Sequence, residues 1–160
     1  MKNKWLAIVL IALIGIVAMI GCDNGSTGNN GASYTVYLGG YYSGSTGTIA
    51  CYWKNGVKTD LSTVDSSASA ITVVGTDVYL AGYYDDSGVT KACYWKNSAK
   101  TDLPYTGVFS EASGITVVEG VVYTAGYYYD GSNRKACYWK DDVKTDLDVG
   151  EIHAIVVVEK

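Results

Sequence analysis

Four cysteines, one histidine and two acidic turns are the side chains of this 160-residue chain whose types could do chemistry. A thiolate is a nucleophile and a metal ligand, an adjacent imidazole would activate it, and clustered carboxylates in a loop would take calcium. Three of the cysteines sit in one repeated string, ACYWK, at 50–54, 92–96 and 136–140. His153 has no Ser-His-Asp or Cys-His arrangement around it in the sequence, and no metal-ligand spacing recurs. It occupies the place that Ser69 and Ser113 hold in the other copies, which reads as a loop position. Asp85-Asp86 and Asp130-Gly131 lack the EF-hand spacing and read as turn residues. No enzyme chemistry, cofactor or metal is expected from these residues.

The fourth cysteine stands apart. Lys2 and Lys4 precede an apolar run from Trp5 to Ile20, followed by Gly21-Cys22. That run is 16 residues long, short of the roughly 20 that span a bilayer. The layout is that of a secretory signal. Gly21-Cys22 resembles a bacterial lipobox, with Met19 where Leu is usual. The resemblance implies a signal peptide at 1–21 and a lipidated Cys22. Residues 22–33 then form a flexible tether rich in Gly, Ser and Asn. The protein is expected in the bacterial cell envelope, lipid-anchored and extracytoplasmic, with the membrane undecided. Losing Lys2 and Lys4 takes the net charge from −4 to −6. So acidic a body has no footprint for phosphate backbones, which excludes nucleic acid.

The elements that carry these residues repeat as well. VYLGGYYSGSTGTIACYWKNGVKTDL (36–61), VYLAGYYDDSGVTKACYWKNSAKTDL (78–103) and VYTAGYYYDGSNRKACYWKDDVKTDL (122–147) align without gaps. A period near 40 with several short strands per unit marks a propeller or a related closed β-repeat. The domain 34–160 divides into units at about 34–69, 70–113 and 114–153, with a closing strand at 154–160. In the middle copy, strand a is expected at 71–74, b at 78–84, a polar loop at 85–90, c at 91–96 and d at 100–103. Asn55-Gly56 predicts a type I′ turn, which places Trp53 opposite Lys58, and likewise Trp95 opposite Lys100 and Trp139 opposite Lys144. Each Lys stem would then lie along an indole.

Strands a, b and c are apolar on both sides, as in sheets covered above and below. Gly40, Gly82 and Gly126 recur inside strand b, where Gly marks a bulge or a close backbone approach. The string ACYWKNGVKTDL, followed by SSASAITVVGTDVYLAGYY, resembles the extracellular HAF-type repeat through Ala50, Trp53, Gly56, Asp60, Leu61, Ala68, Ala70, Ile71 and Gly82. It is also similar to tandem-repeat propeller lipoproteins of bacteria. Cys replaces an aromatic of the family pattern, and Thr72 replaces an Asn. The resemblance implies an exported β-propeller-like body and carries no reaction with it.

Cys51, Cys93 and Cys137 fall on strand c, two strand spacings or about 10 Å outward from strand a. Rotated copies would hold them beyond disulfide reach and unable to share one metal, so each reads as a small buried filler between blades. The b–c loops and the d–a connectors vary between copies and should emerge on one face, which carries Tyr105, Phe109, Glu111, Tyr129, Arg134 and Glu151. These are the candidate ligand-binding residues.

The fold class is all-β, in three four-stranded antiparallel repeats, β-propeller-like; a β-trefoil or β-prism with three-fold pseudosymmetry is the alternative. The function expected is a membrane-tethered, non-catalytic binding or scaffold module, engaging a glycan or a protein ligand through the loop face. The alternatives are a structural envelope protein and a degenerate propeller enzyme domain. Twelve strands are expected, the last completing the first blade. Propellers have about 4–8 blades, so closure calls either for a homodimer with a ring of six or for a three-fold monomer.

Overall fold

The computed structural model describes residues 33–45 and 47–160. The signal peptide, Cys22 and the tether up to residue 32 lie outside the described residues. Residues 34–160 form a compact unit by themselves. It holds eleven strands in three antiparallel sheets. Sheet I is β1 (Tyr37–Gly44), β2 (Gly47–Lys54) and β3 (Val57–Asp60). Sheet II is β4 (Ser66–Val74), β5 (Asp77–Asp86), β6 (Val89–Lys96) and β7 (Ala99–Asp102). Sheet III is β8 (Phe109–Val118), β9 (Val121–Tyr129), β10 (Arg134–Lys140) and β11 (Val143–Val149).

The repeated turn fixes each sheet's register. Asn55, Asn97 and Asp141 adopt positive φ of 49°, 48° and 52°, a conformation that short polar side chains tolerate. Their side-chain oxygens accept the amides of Val36, Val78 and Val122 at 2.8, 2.9 and 3.0 Å, and their own amides donate back to the same residues' carbonyls. This double clasp ties the turn before the last strand of each sheet, β3, β7 or β11, to the start of β1, β5 or β9. Trp53, Trp95 and Trp139 consequently face Lys58, Lys100 and Lys144, as the Asn-Gly turn predicts.

The lysines go elsewhere than expected. Their ammonium groups lie over tyrosine rings, Lys58 over Tyr42 at 3.3 Å, Lys100 over Tyr84 at 3.1 Å and Lys144 over Tyr128 at 3.8 Å. Each also pairs with the Asp two residues on, at 3.0, 2.6 and 2.8 Å. The indoles of Trp95 and Trp139 are fully buried. A charged head cannot follow them inward without losing its water.

The inner strands, the first of sheets II and III, run further than the polar residues suggest. β4 starts at Ser66 rather than 71, and β8 at Phe109. Ser69 and Ser113 are extra residues, each bulged between two ladder partners. Opposite the bulges a Cβ at Gly82 would lie 1.9 Å from the Ser67 carbonyl, and at Gly126 2.0 Å from that of Glu111. Only glycine fits there. The expected loop 85–90 shrinks to Ser87-Gly88, both at positive φ, because β5 and β6 stay paired out to Asp86 and Val89.

Alternation along the strands gives sheet II two apolar faces. Leu80 and Trp95 meet Ala50 and Leu61 of sheet I, whereas Ala81 and Leu103 meet Val122 and Trp139 of sheet III. Buried Ser66 and Ser110 stitch the stack, their Oγ atoms accepting the amides of Ala50 and Ala92 at 3.0 and 2.8 Å. Cys51, Cys93 and Cys137 are buried free thiols.

The expected closing strand, 154–160, is not a strand. Among the described residues sheet I therefore has three strands and no inner partner for β1. The segment lies against β8, where the Ser113 hydroxyl donates to the Ile152 carbonyl. The unpaired edge of β1 belongs to the sheet at the other end of the stack, away from this segment.

Candidate functional site

Five of the six candidate residues converge at the loop end of sheet III. Phe109 and Glu111 sit two apart on β8 and share a face before the bulge at Ser113. Across the ladder Phe109 faces Tyr129 and Glu111 faces Tyr127. Arg134, the first residue of β10, faces Tyr129 from the other side. Glu151 follows β11 and reaches the Arg134 guanidinium at 2.5 Å, an ion pair backed by the Gly150 amide on the Arg134 carbonyl. Tyr105 does not join them. It is half-buried in the connector before β8 and packs onto the core between sheets II and III.

Tyr127 organises the group. Its ring stacks on Phe109 with centroids 5.7 Å apart and planes at 27°. The Arg134 guanidinium lies over the same ring at 5.0 Å, and the hydroxyl donates to Glu111 at 3.0 Å. Burial, followed by the Glu111 charge, pushes the Tyr127 phenol from 10.0 up to about 12. Sequence reasoning missed Tyr127 because it sits in the repeated GYY string and read as scaffold. The signal was there in the spacing: period-two alternation sets it beside Tyr129 and across from Glu111. Phe109, Tyr127, Tyr129 and Arg134 line a shallow cup of about 290 Å³.

Loops and connectors do share this face, and they hold each other. The Asp65 carboxylate accepts the Thr48 amide and hydroxyl at 2.8 and 2.6 Å, its backbone carbonyl takes the Asp85 amide at 2.7 Å, and Val108 donates to Tyr129 at 3.1 Å. Other acidic side chains are engaged in turns. Asp130 accepts the Ser132 and Asn133 amides, Asp85 accepts the Gly88 amide, and Asp86 pairs with Lys91 at 2.5 Å. His153 is exposed, 3.6 Å from the Glu151 carboxylate. Among the described residues no cluster of His, Cys, Asp and Glu is arranged to hold a metal ion.

The three thiols are poor nucleophiles. Burial raises all three above the ordinary 9.0, Cys137 to about 12, so the reactive thiolate is scarce near neutral pH. What the cup offers is an aromatic platform edged by a cation and two carboxylates. That combination can stack and hydrogen-bond a ligand. No protein-family model matches the chain, and no curated protein matches it in sequence.

Proposed function

We propose that this protein is an exported bacterial lipoprotein whose β-propeller-like body binds a glycan, without catalysis, at the cup formed by Phe109, Tyr127, Tyr129 and Arg134. The observation that carries this reading is the Phe109–Tyr127 stack with Arg134 over the same ring. The electron-rich face of an aromatic ring suits the weakly positive C–H face of a pyranose. Arg134, Glu111 and Glu151 supply donors and acceptors around it for hydroxyl groups. The arrangement sits on loops and strand ends held by a stiff sheet stack, where binding groups are usually placed.

The leader and Gly21-Cys22 support export and anchoring through a lipid on Cys22, with the body held off the membrane by residues 22–33. The likeness to HAF-type repeats supports the same location, outside the cytoplasm. Buried, protonated thiols and acids engaged in turns support a binder over an enzyme.

The test is a glycan array probed with the mature chain, residues 22–160 carrying Cys22→Ser so that no lipid is attached. A glycan hit is expected, and Phe109→Ala or Arg134→Ala should weaken it about tenfold or more, roughly 1.4 kcal/mol. An array without hits, or hits indifferent to both substitutions, would contradict the reading.

A further inference from the structure

Repeat equivalence compares each end of the sheet stack with the interfaces inside it. Leu80 of sheet II is 0% exposed against sheet I, but its counterpart Leu38, on the outer face of sheet I, is 57% exposed. Leu103 is 3% exposed against sheet III, whereas its counterpart Leu147, on the outer side of sheet III, is 49% exposed. Tyr79 and Tyr94 pack into the core between sheets II and III. Their counterparts Tyr123 and Tyr138 line an open groove of about 480 Å³. The two outer faces are thus the two halves of the contact that the stack makes twice internally.

The C-terminal segment fits the same scheme. Ser69-Ala70, Ser113-Gly114 and His153-Ala154 are equivalent positions, and together they line one axial cavity. Residues 153–155 therefore lie where the inner strand of a further sheet belongs, and among the described residues no sheet takes that strand up. At the other end, β1 is the start of a sheet with no inner strand.

Gly40 gives an independent sign. Gly82 and Gly126 are required because an inner strand crosses them at 1.9 and 2.0 Å from a Cβ. At Gly40 a Cβ would meet only the Trp53 ring, at 3.6 Å. No described residue of its own chain asks for a glycine there. An inner strand arriving from outside the chain would.

We propose that two chains close head to tail into one ring of six sheets. In it, Ile155–Val158 of each chain serves as inner strand to β1 of the other, and the outer face of sheet III covers the outer face of the partner's sheet I. A head-to-tail contact closes only when its rotation divides the circle, and six sheets fall within the range of known propellers. Closure also pairs the free edge of β1 and covers the exposed valines at 156 and 158, which would otherwise invite aggregation. Register follows from Ile71 opposite Leu80 and Thr72 opposite Tyr79, so Ile155 should face the second copy's Leu38, and Val156 its Tyr37. The ligand cup sits at the loop end of that same outer face, and Tyr83, the counterpart of Tyr127, is only partly covered under sheet III, so docking leaves the cup partly open.

Sedimentation equilibrium of the Cys22→Ser mature chain at micromolar concentration should return the mass of two chains. A mixture of Tyr37→Cys chains and Val156→Cys chains should oxidise to a covalent dimer, while neither alone does so. Gly40→Ala should keep the folded circular dichroism spectrum and weaken dimerisation at least tenfold. A one-chain mass would overturn the proposal, as would a ladder of ever larger masses. So would an intrachain disulfide in the Tyr37→Cys/Val156→Cys double variant, or a Gly40→Ala dimer of undiminished affinity.

Discussion

At the residue scale the repeats separate scaffold from site. Most side chains that recur in all three copies have a packing or turn role, as Trp95 and Trp139 show by filling equivalent positions between sheets, and Tyr127 is the exception. Trp95→Ala should cost about 3–5 kcal/mol in urea unfolding, the usual range for a buried large aromatic, whereas Arg134→Ala should stay within about 0.5 kcal/mol. Equal losses would mean that β6 is not an interior strand. Titration makes a second expectation. Cys137 and Tyr127 are raised in the folded state, from 9.0 and 10.0, both to about 12. The folded chain therefore holds these protons longer than the unfolded one. Their contribution is whole below about pH 9 and fades as pH climbs toward 12. The carboxyls of Asp65, Asp77, Asp86 and Asp130 are lowered from 3.8, chiefly by hydrogen bonds from the Thr48 hydroxyl, the Asn97 amide, Lys91 and the Asn133 amide. Their contribution is present above pH 3.8 and fades as pH falls through the lowered values. Thermal melts should plateau between about pH 4 and 9 and decline on both sides, and iodoacetamide at pH 8 should leave the folded thiols unmodified. Rapid labelling without unfolding would contradict the buried placement of β2, β6 and β10.

At the element scale, the turns were legible in the sequence and the inner strands were only half so. Asn55-Gly56 demands positive φ, and from it the pairing of Trp53 with Lys58 follows directly. The stretches SSASA and FSEAS read as connector because polar residues cluster there. In the fold, Ser66 and Ser110 are buried, each hydroxyl taking up an amide on the neighbouring sheet. Their role depends on a partner strand about 16–18 residues away in sequence, which local pattern does not encode. The candidate site shows the same divide. Phe109, Glu111, Tyr129, Arg134 and Glu151 were legible as variable residues of one face, whereas Tyr127 was hidden by its repetition and Tyr105 is drawn inward by the core. Ser110→Ala should leave the Ala92 amide buried without an acceptor, at a cost of about 1–3 kcal/mol. Hydrogen exchange at Ala92 should quicken. An unchanged rate would mean that the serine does not couple sheets II and III.

At the scale of the whole molecule, a lipid anchor is proposed at Cys22, and an aromatic cup lies at the loop end of the three-sheet stack. Anchor and cup are separate in sequence, so each can be removed without the other. The most direct measurement is co-sedimentation of a fluorescent array-selected glycan with membranes from bacteria expressing the full chain. Wild-type membranes should carry both protein and glycan. Cys22→Ser should release the protein to the supernatant and the glycan with it, and Phe109→Ala should leave the protein on the membrane without glycan. Membranes that keep the protein despite Cys22→Ser, or that keep the glycan despite Phe109→Ala, would contradict the account.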